Sequence, residues 1–200
     1  MDKFREEIEK GLSSLTDESK ILFSVLTSEK LYPNYVAFEA RNSWGNSEML
    51  REIISLIYHY LIDNCSASLS DFCGIITRIN LVTPDTEDFS DLTTSFALDA
   101  CTALISTIKF IINKEISDVF EVSVFAIDTV YAFIQLKENF SAFDPSSEIQ
   151  TEQDDFMIHE KSRQRNLINE LSKIEKITEK LIVELRNNKP IIDISLLRDL

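Results

Sequence analysis

The chain has 200 residues, 44% of them hydrophobic and 27% charged, with a formal net charge of -14. That balance is globular rather than disordered, and so acidic a chain lacks the basic footprint that nucleic-acid binding requires. Only 3 glycines and 4 prolines interrupt it, too few for the many turns of a strand-rich fold. We therefore expect an all-α protein with a single helical domain over residues 1–200, a compact bundle of about eight helices with a long C-terminal helix.

In chain order, a short opening helix is expected over Asp2 to Lys10. Thr16 is placed to cap a second helix, with Asp17 and Glu18 in its first turn. That helix should end near Tyr32, because Pro33 disfavours helical geometry in the residue before it, and Pro33 would open a separate helix over Asn34 to Asn42. Gly45 breaks the chain again. Ser47 is then the expected cap of Glu48 to Asn64, where Leu50, Ile53, Ile54, Ile57 and Leu61 share one face. Ser68 with Asp71 starts another helix running to about Asn80, and VTPDTEDFSD after it reads as a loop.

From Leu92 to Ile112 the sequence is nearly continuously apolar, except that Ser95, Asp99, Thr102, Ser106, Lys109 and Asn113 form one narrow polar stripe. Residues 115 to 138 alternate like a strand around VFEVSVFA. Yet Glu121, Asp128 and Gln135 recur every seventh residue across a segment far longer than a strand of about five or six residues, so a helix is expected. After a second loop, SAFDPSSEIQTE, the longest helix is expected from about Glu152 to Asn187, on the order of 50 Å. Its Leu167, Leu171, Ile174, Thr178, Leu181 and Leu185 resemble a short coiled-coil seam, and its overhang could join two copies as a homodimer. The tail, Lys189 to Leu200, is too apolar to hang free in solvent.

Few residues suggest catalysis. The cysteines, Cys65, Cys73 and Cys101, form no C-x-x-C pair, so no zinc or redox motif is offered, and Cys101 reads as a buried small hydrophobe. His59 lies among tyrosines and His159 lacks the second histidine of a zinc-protease helix. No nucleophile elbow, P-loop or dinucleotide fingerprint occurs, so no catalytic residue and no cofactor is assigned. The KSRQR segment, Lys161 to Arg165, reads as solvated helical surface rather than a phosphate site. Carboxylates supply the one enzymatic alternative, a Mg²⁺-dependent hydrolase built on Asp85, Asp88, Asp99 and Asp128. The simpler reading is that acids before a helix favour its N-terminus, with Thr86, Asp88 and Ser90 as cap residues.

A better-motivated surface pairs the aromatic corner of Tyr32, Tyr35, Phe38 and Trp44 with the acidic loop of Asp85, Glu87 and Asp88. Tyrosine and tryptophan suit surfaces that are part apolar and part wet, although the simpler reading is that these rings pack the corner between two helices. Residues 81 to 150 carry 12 acids against 3 bases, which suits a basic protein partner. No apolar stretch approaches the roughly 20 uncharged residues of a membrane span, and the N-terminus, MDKFREEIEK, has no apolar secretory segment. The expectation is a non-enzymatic cytoplasmic protein of regulatory or immunity-like type, with a small apolar ligand as a third reading.

The segment EKLYPNYVAFEARNSWGNSEMLREIISLIYHYL resembles the opening of the bacterial domain-of-unknown-function 416 family, with Glu29, Pro33, Asn34, Tyr35, Phe38 and Gly45 on its pattern. PDTEDFSDLTTSFALDACTALIS is similar to a second block through Pro84, Asp88, Phe89, Ala97, Asp99, Ala100 and Cys101, and EVSVFAIDTV to a third through Glu121, Val122, Ser123, Thr129 and Val130. His59 and Tyr60 depart from the Trp-Glu pair expected there. The resemblance implies an all-α single domain in the bacterial cytoplasm, and it carries over no activity and no catalytic residues.

Overall fold

The computed structural model describes residues 2–63, 69–90, 92–140, 146–186 and 189–196. Among these residues every regular element is helical: α1 Asp2–Ser13, α2 Asp17–Asn42, α3 Ser47–Asp63, α4 Leu69–Asn80, α5 Thr93–Asn113, α6 Ile116–Lys137, α7 Ser146–Gln153, α8 Asp155–Leu171 and α9 Glu179–Leu185, with a 3-10 turn at Ile194–Leu196. The all-α expectation holds, including the contested α6, whose β-branched residues Val119, Val122, Ile127 and Val130 are fully used as core. Tertiary burial of one helical face outweighs their weak strand preference.

Helix α2 forms the axis. It packs on α3, α5, α6 and α8, and α5 lies against α4 and α6. Small residues let α2 and α5 approach closely: Ser24, Ser28, Ala100, Ala103 and Thr107 are all buried, and the Ser28 and Thr107 hydroxyls bond to each other at 3.1 Å. Thr16 caps α2 as expected, accepting from the Ser19 N–H at 3.2 Å. The cap of α3 lies one residue earlier than expected, since the Asn46 side chain accepts from the Met49 N–H at 2.9 Å.

Pro33 does not end a helix. It lies inside α2, which runs unbroken to Asn42. Proline in a helix interior costs about 3 kcal/mol, but Leu31, Tyr35 and Phe38 on either side are completely buried, and each such side chain contributes roughly 1.5–3 kcal/mol. The core therefore holds the helix together. Proline also withdraws the N–H that would bond the Glu29 carbonyl, and at the next residue the Lys30 carbonyl accepts a bond at 3.2 Å from the Ile191 N–H of the C-terminal tail.

The expected long helix from Glu152 to Asn187 is instead three helices. Asp154 takes an extended conformation and caps α8 by accepting from the Phe156 N–H at 2.8 Å. After Leu171 the chain turns, and Thr178, also extended, caps α9 through the Leu181 N–H. A straight helix would carry Ile174, Ile177, Leu181 and Leu185 away from the body, whereas all four pack against the common core. Among the described residues the segment therefore forms no single rod projecting from the body. Part of the expected loop SAFDPSSEIQTE is helical as α7, anchored by buried Thr151, whose hydroxyl accepts from Gln135 at 2.7 Å. The tail behaves as expected where it is described, with Ile192 only 2% exposed.

Helices α5 and α6 are long and apolar enough to cross a membrane by length and composition, but most of the apolar window of α5 and half that of α6 are buried inside the fold. Their polar residues face each other. Ser106 donates to Glu121 at 2.9 Å and Thr129 to Asp99 at 2.6 Å, so two residues of the α5 stripe are bonded to α6, whereas Asp128 is exposed and Gln135 turns to Thr151 of α7.

Candidate functional site

The turn between α2 and α3 is tied to the loop after α4 by one hydroxyl, while the Glu39 carboxylate accepts from the Ser47 N–H at 3.2 Å. Tyr35, completely buried, donates to the Val82 carbonyl at 2.7 Å and accepts from the Asn46 N–H at 3.1 Å. Gly45 permits this approach: its φ is +123°, and a Cβ there would lie 2.6 Å from the Tyr35 oxygen, a contact no side chain tolerates. Burial raises the Tyr35 phenol well above its usual range. The loop after α4 is thereby fastened to the α2 corner.

That fastening joins the two halves of the expected interaction surface. Phe89, from the acidic loop, stacks on Phe38 and Trp44 with ring centroids 5.1 Å from each, and Trp44 meets Phe38 edge-on at 6.0 Å. Tyr32, Tyr35 and Phe38 are buried at 9%, 0% and 0% exposure, so they pack the corner, and Trp44 alone of the four expected aromatics reaches solvent, at 37%. Asp85, Glu87 and Asp88 are exposed on the same loop. The Asp85 side chain accepts from the Glu87 N–H and its carbonyl from the Asp88 N–H, which fixes the loop's turn.

Beside Phe89 opens a groove of about 570 Å³ between the loop, the start of α5 and the end of α6, lined by Leu92, Thr94, Tyr131, Ala132 and Leu136 among others. Leu92 and Leu136 are 45% and 37% exposed. The buried Thr94 hydroxyl has no hydrogen-bond partner among the described residues. Of these residues the sequence reading singled out none as surface. Phe89 was the available signal, a lone ring among carboxylates.

The carboxylates of the metal alternative do not converge. Among the described residues no three His, Cys, Asp or Glu side chains come together as an ion would need. Asp99 is held between α5 and α6, where burial, and to a lesser degree the Asp128 charge, raise it to about 7 against the pull of the Thr129 hydroxyl. Asp91 and Cys65 fall outside the described residues. Cys101 is fully buried and its thiol is pushed up to about 12 by burial, while Cys73, His59 and His159 are exposed.

A second polar centre was invisible in the sequence. Glu29 on α2, 8% exposed, accepts from the Tyr58 hydroxyl at 2.8 Å and from Arg186 through two nitrogens. The Arg51 guanidinium lies 3.6 Å away, stacked over Tyr32. This cluster ties α3 and the end of α9 to α2 across 157 residues of chain.

These features define an all-helical protein in which Tyr35, Phe38, Gly45 and Phe89 build the α2–α3 corner and dock the acidic loop on it. The chain belongs to the family described as "Protein of unknown function (DUF416)", whose pattern matches residues 7–195. It is 24% identical over 156 residues, 75% of this chain and 79% of the relative, to an "Uncharacterized protein" of Haemophilus influenzae. It is 27% identical over 120 residues, 60% of each chain, to the "Uncharacterized protein YjaG" of Escherichia coli K12. The crystal structure of a DUF416 family protein from Shewanella baltica OS155 shares the fold, with a TM-score of 0.79 at 24% identity over 88% of this chain and 90% of that one.

Proposed function

We propose that the protein works by binding a basic protein partner in the cytoplasm, at the surface where the acidic loop meets Trp44 and the α5–α6 groove. The observation that carries this reading is the Trp44–Phe89 contact, 5.1 Å between centroids. It places an exposed indole, an apolar groove and the carboxylates of Asp85, Glu87 and Asp88 on one continuous surface. Apolar centres rimmed by charge are the usual anatomy of a binding face, and the 12-to-3 excess of acids over residues 81 to 150 supports a partner of basic charge. The unpartnered Thr94 hydroxyl offers the groove a polar contact for a bound backbone or side chain.

A photo-crosslinking side chain at Leu136, used in the native cytoplasm, tests this. Expected is a crosslink to a basic protein that is lost when Asp85, Glu87 and Asp88 are reversed to lysine, and that weakens at least ~10-fold from low to high salt. A product that ignores both salt and charge reversal, or that contains only a second copy of this chain, would overturn the reading.

A further inference from the structure

The groove beside Phe89 separates apolar surface from charge within a few residues. None of the side chains lining it is charged. The carboxylates stand just outside: Asp85 and Glu87 flank Thr86, Asp88 precedes Phe89, and Thr86 and Phe89 both line the groove. Consecutive Cα atoms are about 3.8 Å apart, so lining and exposed acid alternate along this loop at the spacing of single residues. Lys137, next to the lining residue Leu136, is paired with Glu138 and Asp154 and lies over Phe156, so its charge does not offset that of the loop.

Thr94 supplies an independent observation. It lines the groove at 1% exposure, and its hydroxyl has no hydrogen-bond partner among the described residues. Other polar side chains of the lining are engaged within the fold, Ser95 donating to the Leu92 carbonyl and Gln135 to Thr151. An unpaired buried hydroxyl is unfavourable, and an occupant that bonds it removes that cost only in the bound state.

The backbone of an incoming chain can meet such a groove in few ways. No strand occurs among the described residues, so there is no sheet edge to extend. A helix satisfies its own backbone and offers Thr94 only a side chain. An extended segment carries a free N–H and C=O at each residue, and its side chains alternate in direction. One can therefore enter the groove while its neighbours reach the rim.

We infer that the groove takes an extended basic segment of the partner, with one bulky apolar side chain among Phe89, Leu92, Tyr131 and Leu136. A Lys or Arg within two residues of that anchor meets Asp85, Glu87 and Asp88, and one backbone group bonds the Thr94 hydroxyl. The inference rests on the partner surface proposed above and adds the chemistry and shape of what binds there.

Panning a displayed library of random short peptides against the folded, full-length protein tests it. Expected is enrichment of sequences with one Leu, Ile, Phe, Tyr or Trp anchor and a Lys or Arg within two residues, without the i, i+3, i+4 period of an amphipathic helix. A synthetic copy of the enriched peptide should bind roughly 10-fold more weakly when Asp85, Glu87 and Asp88 are reversed to lysine. Thr94→Val, nearly isosteric, should weaken it roughly 5-fold and yet raise the thermal midpoint of the free protein, because the unpaired hydroxyl is gone. Thr94→Ser should restore most of the affinity. A hydroxyl that served only the fold would instead lower the midpoint on removal and leave affinity in the folded variant unchanged. No enrichment, acidic or helix-periodic sequences, or equal affinity in folded Thr94→Val overturns the inference. A basic protein crosslinked from Leu136 beside such a result would leave the partner surface standing and remove only this mode of binding.

Discussion

Two side chains show how burial changes what a polar group does. Tyr35 spends its hydroxyl on two backbone groups from different elements, so Tyr35→Phe should orphan both the Val82 carbonyl and the Asn46 N–H. We expect a loss of about 1–3 kcal/mol, read from urea unfolding midpoints at constant slope. Wild-type stability in that variant would show that water replaces the phenol. Asp99 acts in the opposite sense. Its folded pKa is raised to about 7, so between its unfolded value and pH 7 the folded state holds a proton the unfolded chain has released. Stability from this group is therefore full at low pH and declines as pH rises toward 7. Asp99→Asn should flatten that slope and be the more stable protein at pH 8, since an amide oxygen still accepts from Thr129. A steeper or unchanged slope would assign the pH dependence elsewhere.

At the scale of elements, helix limits answer to the core as much as to capping. Pro33 is the clearest instance, tolerated within α2 because both flanks are buried, in the turn where the Lys30 carbonyl also receives the Ile191 N–H. Pro33→Ala would restore an N–H to the ladder and pull that turn back to ordinary helical geometry, away from the tail. Hydrogen exchange at the Ile191 amide should then quicken about 5-fold, the equivalent of one net hydrogen bond, with little change at α5. Unaltered exchange would mean that the tail is held by Ile192 burial alone. The same logic explains the break after Leu171. Ile174, Ile177, Leu181 and Leu185 carry a helical period, but α9 must fold back for them to meet the core.

For the molecule as a whole, charge is segregated. The acidic loop lies beside an apolar groove, whereas around Lys30, Arg163 and Arg186 the cations are interleaved with Glu29, Glu160 and Glu170. Reversing Asp85, Glu87 and Asp88 to lysine should abolish crosslinking to the proposed partner and leave the helical circular dichroism unchanged, because all three side chains are exposed.

What the amino-acid sequence determined by itself was everything decided within a few residues or by period: the all-helical class, the Thr16 cap, the Gly45 break, the apolar faces of α3 and α5, and the family, whose pattern residues include those that build the corner. Of the candidate surface, the acidic loop and Trp44 were legible, because charge and indole declare themselves by type. The burial of Tyr32, Tyr35 and Phe38 was not, since a ring's exposure depends on what packs over it. Only the tertiary structure decided that α2 passes through Pro33, that the C-terminal helix divides, and that Glu29 meets Arg186 from 157 residues away. Local propensities act over about one helical turn, whereas those outcomes are set by apolar burial and charge pairing between segments remote in the chain.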